Sequence, residues 1–189
     1  MDKFQNKYRI ASARAQWWNY SNEGLYFITI CTKDHEPLFG EIKSEKMVLS
    51  AIGEILKKEW LQSFEIRKEL HCEEYVIMPN HIHAILQIKN DEKTNGNQMV
   101  VETHGRASLQ YNNGIAYRSP KSISSFVAGF KSTATTKINQ YRNKPKLPVW
   151  QNRFHDRIIR DFEEFHRIQN YIIDNPKNWT TDKLYGGEM

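Results

Sequence analysis

The sequence predicts an α+β domain in which helices pack on an antiparallel sheet, and two observations point to that class. Strand-like and helical runs follow one another as strand, helix, strand, strand, helix, strand and helix, which is typical of a layered sheet-and-helix architecture. The 189 residues, 39% of them hydrophobic and 26% charged, suit a soluble protein with a substantial core. We therefore treat residues 1–189 as a single domain.

The strands are predicted from alternating patterns rich in β-branched and aromatic residues. These runs cover residues 25–32, 71–78 and 82–88, with a short strand near 47–49 and an edge strand or strand-like segment at 150–159. A turn at Pro79-Asn80 joins the second and third runs. Periodicity does not fix the order of the strands in the sheet.

Three helices are predicted from apolar residues at helical spacing. The first covers roughly residues 50–64 with Ser50 as its N-cap, and the second covers 122–141. The third covers 161–175, where Asp161 and Glu164 match a capping box and Pro176 marks the end. Its apolar residues recur close to helical spacing at Phe162, Phe165, Ile168 and Ile172.

Two stretches differ in composition from the rest of the chain. Residues 1–20 form a polar N-terminal arm that contains basic and aromatic side chains. Residues 90–113 are rich in Asn, Gly, Gln and charged residues without a clear period, and we predict a mobile insertion there.

Composition excludes several classes of protein. No apolar run approaches the roughly 20 residues that a membrane span requires, and the first residues lack the apolar core of a signal peptide. We therefore expect a cytoplasmic protein that does not contact membranes. Cys31 and Cys72 are too few for a zinc site or a disulfide framework, and both are predicted to be core thiols.

The charge distribution favours an anionic partner, since the formal net charge is +5. Basic groups interleaved with aromatic rings suit single-stranded nucleic acid, because charges follow the backbone while exposed rings stack on bases. The candidate DNA-binding residues from this pattern are Arg14, Trp17, Trp18, Lys121, Lys131, Arg153 and Arg157. For the two tryptophans, packing against the domain stays open as the alternative.

The segment Pro79-Asn80-His81-Ile82-His83 carries a candidate metal site. Residues i and i+2 of a strand point to the same face, so both imidazoles can approach one ion while Ile82 turns into the core. Edge histidines are also common without a metal, and then they are only hydrogen-bonded.

The third predicted helix carries a polar edge. Tyr171 and Asn175 lie at i and i+4, and Arg167 lies one turn earlier, so a basic group, a phenol and a carboxamide line up as a candidate phosphate site. Taken alone, Tyr171 also fits a packed aromatic residue and Asn175 a helix stop.

Four segments in this order resemble the single-tyrosine HUH transposases, and in particular the REP-associated tyrosine transposases and their insertion-sequence relatives. They are residues 25–32 (LYFITICT), 75–83 (YVIMPNHIH), 150–151 (WQ) and 171–176 (YIIDNP). The resemblance runs from about residue 9 to residue 179. The chain departs from the family at residues 154–160 (FHDRIIR), where many relatives have an acidic residue and then His, so no role passes to His155.

The resemblance implies a ferredoxin-like antiparallel sheet, the HUH endonuclease fold, with the histidines on a central strand and the tyrosine on a neighbouring helix. It also implies an endonuclease and strand transferase acting on single-stranded or hairpin DNA through a 5′-phosphotyrosine intermediate. The family's nucleophile falls on Tyr171, and its metal ligands fall on His81, His83 and Asn175. Both monomers and homodimers occur in the wider family.

The predicted ligand set is informative about the ion. Two imidazoles and one amide oxygen lack the carboxylates that usually hold Mg²⁺, and they tolerate Mn²⁺ better. Mg²⁺ remains the expected cellular ion because a DNA phosphate adds oxygen ligands. The cofactor is therefore predicted to be Mg²⁺ or Mn²⁺.

Three other functions remain open from the sequence. The first is a domesticated DNA-binding protein of the same fold that no longer cleaves DNA. The second is an HUH nickase used in replication or mobilisation, although such proteins usually carry further domains. The third is a metal-dependent enzyme that acts on a small molecule, which the basic, aromatic-rich composition disfavours.

Overall fold

In the computed structural model, residues 21–89 and 120–185 are described together with four two-residue strands outside these ranges. The strands and helices in chain order are β1 (Lys3–Phe4), β2 (Lys7–Tyr8), β3 (Gly24–Cys31), β4 (Gly40–Lys43), β5 (Lys46–Leu49), α1 (Ala51–Ile66), β6 (Leu70–Met78), β7 (His81–Ile88), β8 (Tyr111–Asn112), β9 (Ile115–Ala116), α2 (Ile123–Arg142), β10 (His155–Ile159) and α3 (Phe162–Asp174).

The central sheet has four strands in the order β10-β3-β7-β6, and every neighbouring pair is antiparallel. β7 is therefore an inner strand, as the resemblance implied. β4 and β5 form a separate hairpin, and two further hairpins pair β1 with β2 and β8 with β9. The predicted class, an α+β fold with an antiparallel sheet, is confirmed.

The two faces of the sheet carry different helices. Trp60 of α1 and Phe126 and Phe130 of α2 belong to the main core, which covers one face. Ile168 and Ile172 of α3 form a smaller cluster with Ile85 of β7 on the other face. The alternation of a strand therefore decides which helix each side chain of β7 meets.

α3 begins where the sequence predicts it to begin. The Asp161 side chain accepts a hydrogen bond from the Glu164 amide at 2.7 Å, which satisfies one free donor of the first turn. The Glu164 carboxylate accepts a hydrogen bond from the Arg160 amide at 3.0 Å rather than from the Asp161 amide, so the predicted capping box is shifted by one residue.

Three of the four apolar residues at helical spacing in α3 pack toward the sheet, and the first does not. Phe162 is 74% exposed, whereas Ile168 and Ile172 are buried and Phe165 is partly buried. Phe162 is the first residue of α3; its ring stacks on Phe165 and packs edge-on against His166 in the first turns of the helix. Helical spacing alone does not show which apolar residue of the first turn is buried.

The strand predicted at residues 150–159 is shorter in the structure. Only His155–Ile159 pairs with β3, while Trp150 forms a single bridge with Thr32.

Cys31 is buried and Cys72 partly buried, and both are free thiols, as predicted. Burial is the main cause that raises the pKa of Cys31 to about 11 and that of Cys72 to about 12. Among the described residues, none of the helices combines the length and the apolarity of a membrane span.

Candidate active site

His81 and His83 lie at the start of β7, directly after the Pro79-Asn80 turn, and both side chains are buried. Their ring centroids are 4.3 Å apart. Ile82 between them belongs to the main core on the opposite face. The predicted arrangement, with two imidazoles on one face and Ile82 behind them, is confirmed.

Neighbouring side chains orient both rings. His81 Nδ1 lies 2.8 Å from Asn80 Oδ1, and His83 Nδ1 lies 2.8 Å from Thr29 Oγ1. The Asn80 amide is itself fixed, because its Nδ2 donates to the carbonyls of His35 and Leu184. An amide oxygen only accepts, so the proton of His81 sits on Nδ1 and the Nε2 lone pair is free.

Both imidazoles are neutral at physiological pH. Burial lowers the pKa of His81 well below its usual value, and His83 and His35 nearby lower it further. Burial lowers the pKa of His83 to about 4 although the Asp182 charge acts in the opposite direction. A neutral imidazole presents the lone pair that a metal ion requires.

α3 places Tyr171 over the histidines. The Tyr171 hydroxyl lies 3.2 Å from His83 Nε2 and donates to Asp182 Oδ2 at 3.1 Å. The ring packs edge-on against Phe27, and the residue stays 44% exposed. Burial raises the pKa of the phenol to about 12, with a further contribution from the Asp182 charge. The phenol is therefore fully protonated at neutral pH unless a cation assists it.

Asn175 is the C-cap of α3 and only 1% exposed. Its Nδ2 donates to Asp182 Oδ2 at 2.9 Å, while its buried Oδ1 has no hydrogen-bond partner. The buried His81 Nε2 also lacks one. Burial lowers the pKa of His81 and the nearby Asn175 side chain acts in the opposite direction, but no hydrogen bond in good geometry joins the two side chains. Two such orphaned acceptors are costly unless a ligand completes them.

Asp182 joins this site, and sequence reasoning missed it. Its Oδ1 accepts from the Leu184 amide at 2.7 Å, and its Oδ2 faces Tyr171 and Asn175. Donor atoms of His81, His83 and Asp182 all lie within 4.8 Å of one another, close enough to share a metal ion. The available signal was an acidic residue soon after the tyrosine helix, in a stretch with no periodicity to place it.

The donor set fits a divalent ion. Two neutral imidazole nitrogens, a carboxylate and an amide oxygen suit Mn²⁺ and other transition ions, and the carboxylate adds a ligand type that Mg²⁺ prefers. The two orphaned acceptors on His81 and Asn175 are what such an ion would satisfy. The identity of the ion stays a prediction.

The candidate DNA-binding residues that the structure describes do not lie together on one surface. Arg14, Trp17 and Trp18 lie outside the described residues. Lys121 is exposed, and its positive charge lies near enough to Glu69 to favour the ionised carboxylate. Glu69 comes just before β6, at the end of the sheet that is farthest from the histidines.

The remaining candidates lie on α2 (Lys131), just before β10 (Arg153), on β10 (Arg157) and on α3 (Arg167). The exposed Arg157 and Arg167 side chains pair with Glu164 at 2.5 and 3.6 Å. The Lys131 ammonium donates to the carbonyls of Gln151 and of the exposed Arg153, and burial lowers its pKa to about 8. Lys131 therefore holds the segment before β10, and a role for any of these residues on DNA stays a prediction.

His35 lies in the loop between β3 and β4, and the structure brings it beside the site. His35 Nε2 accepts from Gln151 Nε2 at 2.9 Å, which ties this loop to the Trp150-Gln151 segment. After burial and the neighbouring His83, His35 is a further cause of the lowered pKa of His81. By contrast, His155 and His166 are exposed and stay outside the site.

Sequence comparison identifies a relative of this chain. The chain is 35% identical over 174 residues to an uncharacterised protein of Haemophilus influenzae, and the match covers 92% of each chain. The chain belongs to the family of that Haemophilus protein. No protein-family model matches the sequence.

One solved structure supports the fold. The structure of a REP-associated tyrosine transposase bound to a REP hairpin matches with a TM-score of 0.56 and 14% identity, covering 92% of this chain and 77% of that one. A candidate transposase from Deinococcus radiodurans R1 matches with a TM-score of 0.44 and 14% identity, over 86% of this chain and 97% of that one. The fold assignment rests on the first of these, and it is the fold of an HUH tyrosine transposase.

Proposed function

We propose that this protein is a metal-dependent endonuclease and strand transferase for single-stranded DNA, with Tyr171 as its nucleophile. The observation that carries the proposal is the position of the Tyr171 hydroxyl, 3.2 Å from His83 Nε2 at a buried cluster suited to a metal ion. A phenol beside a cation is the arrangement that covalent attack on a phosphate requires.

The proposed reaction exchanges one phosphate ester for another. The Tyr171 oxygen attacks phosphorus, an O–P bond to tyrosine forms, and the bond from phosphorus to the 3′ oxygen breaks. The products are a 5′-phosphotyrosine and a free 3′ hydroxyl. The reverse reaction with a different 3′ hydroxyl gives strand transfer, so the energy of the ester bond is retained.

The residues have separate tasks in this scheme. His81, His83, Asn175 and Asp182 would hold the ion, and Asn80 and Thr29 orient the two imidazoles. When bound there, a divalent ion would neutralise charge on the phosphoryl oxygens and favour the phenolate. The hydrogen bond from Tyr171 to Asp182 keeps the phenol oxygen turned toward the histidines.

Single-stranded or hairpin DNA is the proposed substrate. A REP-associated tyrosine transposase of the same fold was solved bound to a REP hairpin. The chain carries a net charge of +5, and the exposed Arg153, Arg157 and Arg167 suit a polyanion. A paired and stacked backbone is harder for a helix-borne tyrosine to reach than an unpaired one.

The proposal is tested with labelled single-stranded, hairpin and duplex oligonucleotides incubated with the protein and Mn²⁺. We expect cleavage of the single-stranded or hairpin DNA, no cleavage with chelator, and weaker binding at higher salt. Binding without cleavage would indicate a DNA-binding protein that has lost turnover. Equal affinity for hairpin and matched duplex, or no binding at all, would contradict the proposed substrate.

A further inference from the structure

A cavity of about 960 Å³ opens beside the two histidines. The loop at residues 34–42, the Pro79-Asn80 turn and the C-terminal segment at 179–185 supply its walls. Its volume is typical of pockets for small ligands, roughly 300–1,000 Å³. Tyr171, His83 and Asn175 do not line it, so it is a neighbour of the metal cluster and not a part of it.

One wall of the cavity is aromatic. The Trp179 and Tyr185 rings stand at 88° to each other with centroids 5.3 Å apart. Trp179 also lies 5.9 Å from the His81 ring, and Tyr185 is 50% exposed. Trp179 therefore links the metal cluster to a half-exposed tyrosine ring whose surface is available for stacking.

Part of the lining is acidic. Asp34, Glu36 and Glu41 all border the cavity. Asp34 pairs with Lys33 at 3.7 Å and Glu41 with Lys43 at 2.7 Å, whereas Glu36 has no ion pair within the described part of the chain. Carboxylates repel a phosphate, but they accept hydrogen bonds from exocyclic amino groups such as N4 of cytosine. This chemistry suits a base and not the DNA backbone.

We propose that this cavity binds one unpaired base of the DNA strand next to the cleaved phosphate, and that it prefers a base with an exocyclic amino group. Tyr185 stacks on the base, and the Glu36 carboxylate accepts from the amino group. The inference rests on the proposed function, and it adds a source of sequence preference to the same site. Stacking on the Tyr185 ring hardly distinguishes one base from another, so the base preference comes from the Glu36 carboxylate.

The test uses two oligonucleotides of about 15 nucleotides, oligodeoxycytidine and oligodeoxyuridine, whose bases differ at the amino or carbonyl group on C4 and in the protonation of N3. Binding is measured by fluorescence anisotropy with chelator present, so that no cleavage occurs. We expect the wild type to prefer the cytidine strand by about fivefold or more. Tyr185→Ala should weaken binding of that strand by about 5- to 150-fold, and Glu36→Ala should abolish the preference.

Matched controls lie on the helices of the other sheet face. Tyr141 is 56% exposed near the end of α2, and Glu65 is exposed on α1, so Tyr141→Ala and Glu65→Ala should bind like the wild type. A strand carrying photoreactive 5-iodocytosine should crosslink to Tyr185 or Trp179, as mapped by mass spectrometry.

Three results would overturn the inference: no preference for cytidine, a preference that survives Glu36→Ala, or unchanged affinity in Tyr185→Ala. If these occur while the wild type still cleaves DNA with Mn²⁺, only the base pocket is wrong. If the wild type binds neither strand, the proposed function fails together with the pocket.

Discussion

His81 and His83 are buried in their neutral form, and this has a consequence for stability. The imidazole of an unfolded chain has a pKa of about 6.5, whereas burial lowers that of His83 to about 4. Between these values the unfolded state binds more protons than the folded state, so the free energy of unfolding falls as the pH is lowered.

We therefore expect the metal-free protein to lose about 3 kcal/mol on account of His83 between pH 7 and pH 4. Urea unfolding across this range measures the loss. His83→Gln should show a smaller decrease with pH, because its side chain does not titrate. An identical pH dependence in the two proteins would mean that His83 is not buried as a neutral group.

The metal cluster is tested by removing its donors one at a time. His81→Ala and His83→Ala should each weaken Mn²⁺ binding by at least about 100-fold and abolish cleavage, while DNA binding largely persists. Asp182→Asn should weaken Mn²⁺ binding as well, and Asn175→Ala should do so less completely. Titration calorimetry gives these affinities.

Asp174→Asn is the control for the carboxylate. Asp174 lies on the same stretch of chain but pairs at the surface with Lys177 at 2.9 Å, so its neutralisation should leave the Mn²⁺ affinity unchanged. An unchanged affinity in the double histidine variant would rule out the proposed ligands.

Sequence reasoning found the residues whose positions follow from local periodicity. The two-residue period of a strand places His81 and His83 on one face, and the helical period places Tyr171 and Asn175 on one edge. It did not find Asp182, because that carboxylate reaches the site only when the segment after α3 folds back. It also missed Thr29, although the register that pairs it with His83 in β3 and β7 places it beside that ring.

At the scale of elements, α3 carries the proposed nucleophile, and its start is fixed by Asp161. Asp161→Ala should lower the free energy of unfolding by about 1 kcal/mol, because it leaves a backbone donor of the first turn unsatisfied. Urea denaturation measures this change. Asp161→Ser retains a capping oxygen and should recover most of the stability; if alanine and serine are equivalent, the cap does not stabilise the helix.

The element boundaries show which signals in the sequence are sufficient. β3, β6, β7, α1 and α2 were predicted to within about two residues, since each has a clear period and a turn or cap at its ends. β4 (GEIK) was not predicted although β5 (KMVL) has the same length, because Ile42 is the one large apolar residue among its four. The short 3₁₀ turn at Trp179–Thr181 was also missed, because three residues are too few to show a helical period, and with it the segment that carries Asp182.

At the scale of the whole molecule, one face of the sheet carries the main core and the other carries the candidate site. α1 and α2 cover one face with the main core, which leaves the opposite face of β7 for the histidines and α3. The strand order β10-β3-β7-β6 puts the histidines on an inner strand, where both neighbouring strands fix their direction. No local pattern determines this order, and the central position of the histidine strand was expected only from the family resemblance.

The central claim is that Tyr171 becomes covalently attached to DNA, and cleavage of a 3′-labelled oligonucleotide with Mn²⁺ tests it most directly. We expect the labelled fragment to remain on the protein through its 5′ phosphate after denaturation, with mass spectrometry placing it on Tyr171. Tyr171→Phe removes only the hydroxyl, so folding and DNA binding should persist while the adduct disappears. An adduct that still forms in Tyr171→Phe, one located on another tyrosine such as Tyr75 or Tyr141, or cleavage without any adduct would contradict the account.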